Sequence, residues 1–483
     1  MKQSEVKMSL GDYQGAILLF NEVIEKESLN AEALFKRGTC FDSLRQYTAA
    51  LQDYNKVIAF SSNVDVYKSR AMIYYMTGQI MTGIFDFEKY LKSNPNDVDS
   101  YFEIGNGYFA LENYSKALAY YSKAIEFNKS LAKAYYYRGL CKAQLNDFQG
   151  EISDYDLALE LDPKDARVYY KRGRARVEFK DFNGALSDFN RVLALNPNYS
   201  GAYNDRGNVK NELNDFQGAI SDFNKEIELN PQIEITYNNR GISKKEINDF
   251  EGAISDYTLA IKLNPNYANA YFNRGYAKNA INDYAGAIVD FTKAIEFDPY
   301  HAISYYNRGN SKKELNDLEG ALLDFDRAIQ LDSNFIAAFN NRALLKHELN
   351  NLEGALTDFN KLLELTTNDA NTFFNKGRTE FKLKNFKRAI QDFSMAIKLV
   401  PNDSEAYYNR GLSKHELKDY QGALSDYTKA IELDPNLYSA YYNRGLIKMI
   451  LKDEKAACLD WNRALALNLT EANALKLIEQ FCK

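Results

Sequence analysis

The chain has 483 residues, 45% hydrophobic and 26% charged, with a net charge of −6 and a pI near 5.5. That acidic balance speaks against broad attraction to nucleic acid, and no apolar run approaches a membrane span, so membrane insertion is not expected. Four cysteines in so long a chain do not make a disulfide scaffold, and Met1–Leu10 is too polar for a signal peptide, so the expected compartment is the cytoplasm.

One 34-residue pattern recurs along nearly the whole sequence, and Ser404–Leu437 states it most clearly. Ala406, Tyr407, Gly411 and Leu417 are spaced for one face of a helix. Lys418-Asp419-Tyr420 breaks that face. Ala423, Tyr427, Ala430 and Ile431 then form a second helical stripe, closed by Asp434-Pro435. Gly411 and Ala423 lack bulk where two antiparallel helices must approach, and Tyr407, Tyr420 and Tyr427 fill the space around them. A strict period of this length is the signature of stacked helical hairpins. Proline suits the start of each following segment.

In chain order, residues 1–30 are a partial first repeat: Gly11-Asp12-Tyr13 matches Lys418-Asp419-Tyr420, leaving Met1–Leu10 as the remnant of a first helix. This start implies either a missing upstream segment or an unsealed end. Residues 31–131 hold irregular repeats 2–4: the second is one residue short, the third has Ala71 in place of Gly, and the fourth reads Ile104-Gly105-Asn106-Gly107. Residues 132–437 hold the regular repeats 5–13, residues 438–471 the last repeat, and residues 472–483 a short capping helix.

The pattern resembles the tetratricopeptide repeat. Tyr407, Gly411, Tyr420, Ala423, Tyr427, Ala430 and Pro435 occupy that family's small and aromatic positions in order, and the resemblance covers essentially the whole chain. It implies an all-α, right-handed superhelical solenoid of about 14 helix-turn-helix repeats plus a C-terminal capping helix. The closing segment around Cys458-Leu459-Asp460-Trp461 resembles that of many bacterial members.

Aligning the repeats against one another exposes a charged pair. Position seven is Arg or Lys and position 23 is Asp in twelve repeats, among them Arg37/Asp53, Arg138/Asp154, Arg274/Asp290, Lys376/Asp392 and Arg444/Asp460. In repeat 4 both are lost together, to Ile104 and Tyr120. Joint loss predicts that the two positions touch across the hairpin, with an apolar pair as the alternative solution.

By analogy with the family, position six of each first helix faces the binding groove. It reads Asn239, Asn273, Asn307, Asn341, Asn375, Asn409 and Asn443 in seven consecutive repeats. A carboxamide both donates and accepts, so it satisfies a peptide group whatever side chain follows. The row is similar to the asparagine ladder in the repeat superhelix of O-linked N-acetylglucosamine transferase, whose catalytic domain has no counterpart here. Duplicated repeats also carry residues forward without a task, which is the bland reading of the same row.

Lys133, Arg167, Lys171 and Arg174 in repeats 5 and 6 form a second candidate, a patch for acidic segments. Asn106, Arg167 and Lys171 match three places of the carboxylate clamp of some tetratricopeptide adaptors, but Phe102 and Tyr137 replace the other two. Glu151 stands where most repeats have Ala, with Lys142 as a candidate partner, and reads as local distortion.

No phosphate loop, metal spacing or nucleophile–base arrangement appears, so neither enzyme activity nor a cofactor or metal is expected. His347 and His415 share position twelve but lie two repeats apart. Cys40 and Cys141 read as core thiols. Cys458 and Cys482 can meet if the cap lies against the last hairpin, and a disulfide there would argue for export. Trp461 takes the aromatic core position of the last repeat. The expected function is a protein-interaction scaffold that binds extended or acidic polypeptide segments; a self-associating assembly subunit is the second reading.

Overall fold

A computed structural model of the chain describes residues 1–467 and 472–482. Its 29 described helices pair as helical hairpins, about 14 repeats plus a terminal helix, and the fold is all-α as expected. No described helix is long and apolar enough to cross a membrane. The chain divides into two compact units, Met1–Ser243 and Lys244–Lys483.

Within a repeat the two helices run 13 and 14 residues, as in Ala302–Glu314 and Leu318–Leu331 of repeat 10. The turn between them has a local cause. Position 15 takes the left-handed conformation that ends a helix, at Asn146, Asn282, Asn316 and Lys418 with φ near +60°. The following Asp then caps the second helix: Asp419 accepts from Gly422 N–H at 3.0 Å. The expected break at Lys418-Asp419-Tyr420 is therefore a stop and a start in succession.

The hairpin interior is an aromatic ring laid on a glycine. A Cβ at Gly275 would meet Phe291 at 3.0 Å, and one at Gly411 would meet Tyr427 at 2.8 Å. Phe291 and Tyr427 are fully buried, each contributing about 2–3 kcal/mol relative to exposure. Successive hairpins meet through small residues, such as Ala396 against Ala406 and Ala430 against Ala440.

In the first unit the charged pair spans the hairpin as expected. Arg138 donates through Nε and Nη2 to Asp154 at 2.8 and 2.6 Å, and Asp154 is 1% exposed. The third nitrogen does something the sequence reading missed: Nη1 reaches back to the preceding repeat, from Arg172 to Asp156 at 2.6 Å and from Arg206 to Asn190 at 2.8 Å. One guanidinium therefore closes its own hairpin and fastens it to its neighbour. A second cation joins it, since Lys142 stands 2.9 Å from Asp154 Oδ2. Lys142 is thus committed to Asp154 and to Gly150 O, which corrects its assignment to Glu151. In repeat 4 Ile104 is buried, but Tyr120 donates to Glu88 of the preceding repeat at 2.9 Å, so an apolar pair is not the replacement.

Repeat 7 departs from the rule. Glu226, fully buried where most repeats have Ala, accepts from Gly201 N–H at 3.3 Å and from Asn230 Nδ2 at 2.7 Å. Gly201 has φ +78°, and the first helix starts late, at Ala202. Only glycine takes that φ without steric cost.

In the second unit the same pairs recur, with Arg308 on Asp324 at 2.9 and 2.6 Å and Nη1 on Thr292 at 3.1 Å. Trp461 is fully buried and donates to Tyr442 O at 3.2 Å, confirming it as a packing residue. Cys458 and Cys482 are joined in a disulfide, Cα atoms 5.4 Å apart, which ties the end of helix Ala472–Phe481 to helix Glu454–Ala466. The expected repeat boundary at residue 471 falls outside the described residues.

Candidate peptide-binding surface

The ladder asparagines all lie half-buried on their first helices. At five of the seven the amide nitrogen is bonded within the protein. Asn307, Asn409 and Asn443 donate to the carbonyl four residues back, at 2.9, 2.8 and 3.0 Å. Asn341 and Asn443 also donate to the hydroxyls of Tyr306 and Tyr408 in the preceding repeat, at 3.2 and 3.0 Å. In the first unit Asn239 donates to Asn204 at 3.2 Å. Asn273 and Asn375 occupy the same register.

A bond to a main-chain carbonyl fixes the flip of the carboxamide, because only its nitrogen can donate. At Asn307, Asn409 and Asn443 this leaves the amide oxygen, an acceptor, outside that bond. Beside Asn307 lies a cavity of about 430 Å³ that Lys245, Phe250, Tyr276 and Asn279 also line. Lys245 sits over the Tyr276 ring at 5.3 Å, so one wall combines a cation with an aromatic face.

The four basic residues of repeats 5 and 6 split into two pairs. Lys133 and Arg167 line one cavity of about 270 Å³, Lys171 and Arg174 another of about 230 Å³. The first pair is already engaged: Lys133 stands 4.2 Å from the Phe102 ring centroid, and Arg167 pairs with Asp165 at 2.7 Å. Arg174 is 60% exposed and 4.0 Å from Asp205. Glu151 is buried at the floor of the second cavity, and desolvation pushes its carboxyl above the usual range while Lys171 opposes the shift. The clamp resemblance does not assemble. Asn106 is held by the Tyr121 hydroxyl at 2.8 Å, and Phe102 and Tyr137 meet edge-on at 5.7 Å.

Sequence reasoning missed a second row of contacts between repeats. Ser243 donates to Asn211 at 2.8 Å in the first unit. In the second, Ser311 donates to Asn279 at 2.9 Å, and His347 Nδ1 meets Thr379 Oγ1 at 2.9 Å. The signal was present as Asn or His at position twelve followed by Ser or Thr at position ten of the next repeat. His347 therefore belongs to the scaffold. His415 packs edge-on to Tyr420. Burial pushes the Cys141 thiol up to about 12, consistent with an inert core thiol. Among the described residues no group of three or more His, Cys, Asp or Glu is placed to hold a metal.

Comparison with solved structures finds similar folds. A Cut9–Hcn1 hetero-tetramer of the APC/C is 16% identical, covering 87% of this chain and 97% of that one, with a TM-score of 0.37. YrrB, described as a TPR protein with an unusual peptide-binding site, is 28% identical over 39% of this chain and 97% of its own, at 0.36. The C-terminal part of a TPR repeat-containing protein from Cytophaga hutchinsonii is 18% identical over 49% and 98%, at 0.45. No curated protein matches the chain. Family models described as tetratricopeptide or TPR repeats match residues 1–64, 98–131, 132–165, 170–232, 243–280, 268–301, 302–335, 377–418 and 404–437. Matched repeat after repeat in sequence and built as stacked two-helix hairpins, the chain belongs to the tetratricopeptide repeat proteins.

Proposed function

We propose that the chain is a protein-interaction scaffold that holds extended polypeptide along the first-helix face of its second unit. Tetratricopeptide repeat proteins generally mediate protein–protein interactions, and the finer claim concerns which surface does so here. The observation that carries it is the shared turn of three ladder amides: with nitrogen bonded to the helix at Asn307, Asn409 and Asn443, these repeats have an acceptor to offer a ligand donor. Main-chain N–H groups are the donors every polypeptide has, so such a row reads shape and not sequence. Neighbouring helices pack about 8–10 Å apart, and an extended chain rises about 3.3 Å per residue. One asparagine then meets roughly every third ligand residue. This is the arrangement that the resemblance to the O-linked N-acetylglucosamine transferase ladder implies. In the first unit, Lys171 and Arg174 favour acidic segments.

The test is affinity selection from a random-sequence peptide library, comparing the chain with Asn307→Ala/Asn341→Ala/Asn375→Ala and checking the fold of the variant by circular dichroism. The reading expects selected peptides to lose at least about tenfold in affinity for the folded variant, about 1.4 kcal/mol. Unchanged affinity would return the ladder to repeat inheritance.

Self-association is the second reading, favoured by exposed apolar side chains on the N-terminal end, Leu10 (78%), and on the irregular repeats, Met76 (68%) and Phe85 (55%). Light scattering across a dilution series separates the two, because assembly needs no added ligand.

A further inference from the structure

Nine repeats treat the hairpin aspartate alike. A Lys or Arg at position eleven stands between 2.7 and 2.9 Å from one carboxylate oxygen, as Lys312 does on Asp324 and Lys414 on Asp426. Repeat 12, built from helices Ala370–Lys382 and Phe386–Leu399, breaks this rule three times over. Its position eleven is Glu380, with a side chain only 4% exposed. Lys376 replaces the arginine and donates to Asp392 Oδ1 alone, at 2.9 Å. Asn385, at the N-cap of the second helix, makes no cap bond and donates to Glu380 Oε2 instead, at 2.8 Å.

The result is an orphan. Asp392 Oδ2, the oxygen that meets a second cation in the sister repeats, is buried without a partner, and Asp392 is 6% exposed. Where nine repeats put a cation, this one puts a second buried carboxylate. With one ammonium on Oδ1, none on Oδ2 and a second buried acid nearby, Asp392 does not stay ionised cheaply. Arg388 is 3.8 Å from Glu380 Oε1 and is itself 71% exposed, so it screens Glu380 from outside and leaves the orphan oxygen unmet.

We propose that Asp392 carries a proton in the folded chain, and that its uptake and release set how firmly the repeat 12 hairpin holds together. The proton sits on Asp392 Oδ2, the buried oxygen that no cation meets. Burial, and then the charge of Glu380, hold the Asp392 carboxyl above the ordinary aspartate range against the pull of Lys376. The sign follows from linkage. A carboxyl whose folded pKa is raised binds its proton more tightly in the folded hairpin. The hairpin is therefore firmest in acid and loosens as pH rises from the unfolded value, about 3.9, through the raised one.

The other charged groups facing this site are few. Arg410 of the next repeat is engaged with Asp426 and Ser394. His347 of the preceding repeat bonds Thr379, the residue before Glu380, and lies near Lys382 and Arg378.

Hydrogen exchange of the full chain tests the proposal, reading helices Ala370–Lys382 and Phe386–Leu399 from about pH 4, near the unfolded value, to about pH 8, with repeat 10 as internal reference. After correction for intrinsic exchange, protection of repeat 12 falls by up to about tenfold per pH unit, the limit for one proton. Glu380→Lys, which restores the sister arrangement, raises protection at the upper pH and removes the dependence. Asp392→Asn, a permanently neutral stand-in, removes it too. His347→Asn, which places the Asn found at that position in repeats 7 and 9, leaves it in place. A flat profile in the unaltered chain overturns the proposal, as does a dependence that survives Glu380→Lys or disappears in His347→Asn. Protection at the upper pH that rises with sodium chloride but not with choline chloride overturns it in favour of a bound metal cation.

Discussion

Arg274 meets Asp290 through two parallel hydrogen bonds, Nε to Oδ2 at 2.9 Å and Nη2 to Oδ1 at 2.7 Å, and the carboxylate is 1% exposed. Lys278 adds a second cation 2.8 Å from Oδ2. Asp290→Ala leaves two largely buried cations without a counter-charge, which costs about 3–5 kcal/mol of local stability. Exchange protection of helices Ala268–Ala280 and Tyr284–Phe297 reads that loss directly. A single melting temperature would not, because a repeat array need not unfold as one unit. A loss under about 1 kcal/mol would mean that the pair behaves as solvent-exposed.

Tyr257 is fully buried, and its hydroxyl has no hydrogen-bond partner. Repeats 9 and 10 carry Phe291 and Phe325 at the same position, also fully buried. Removing an unsatisfied hydroxyl relieves a desolvation penalty, so Tyr257→Phe is expected to be neutral or to stabilise by up to about 1 kcal/mol. Denaturant melts of the two chains, followed by the same exchange measurement, decide it. Clear destabilisation would reveal a partner for the hydroxyl.

His347 is held below its usual pKa by desolvation first, then by Lys382 and Arg378. Its neutral form is the one favoured in the folded chain. Its contribution is fully present above the unfolded value, about 6.5, and is lost as pH falls through the depressed folded value. Its ring signal should therefore titrate below the ordinary histidine value on acidification. This slope is opposite in sign to that of Asp392. His347→Asn should make the chain less sensitive to acid.

The Cys458–Cys482 bond closes the terminal helix onto the last hairpin across a separation of 24 residues. In the chain-entropy account a loop of that size contributes about 3 kcal/mol. Reduction should leave repeats 9 to 13 unchanged and sharply raise exchange in helix Ala472–Phe481. Equal exchange with and without reductant would show that packing alone seats the helix. Such bonds persist in oxidising compartments, so the redox state of this pair in intact cells also tests the cytoplasmic placement.

Much of the architecture was legible because it is local. The 34-residue spacing, the glycine under the ring at Gly411 and Tyr427, and the Asp-capped turn at Asp419 all follow from residues close in sequence. The Arg–Asp pair, sixteen positions apart, was legible for a related reason: both members repeat, so their joint loss in repeat 4 marks them as partners. The candidate surfaces were legible only as positions. That Asn307 and Asn409 turn their nitrogens inward does not follow from their being asparagines in register.

Sequence alone determined the repeat, the hairpin and the pair that closes it, because these depend on helix periodicity and on contacts inside one 34-residue copy. Tertiary structure decided what passes between copies. It sent Arg308 Nη1 back to Thr292, set Ser311 on Asn279, seated Glu226 against Gly201 N–H, and left Asp392 Oδ2 without a cation. The physical reason is that these contacts depend on the few tenths of an ångström and the rotamers with which neighbouring helices settle. A periodic pattern constrains which faces meet, and packing chooses which atoms do.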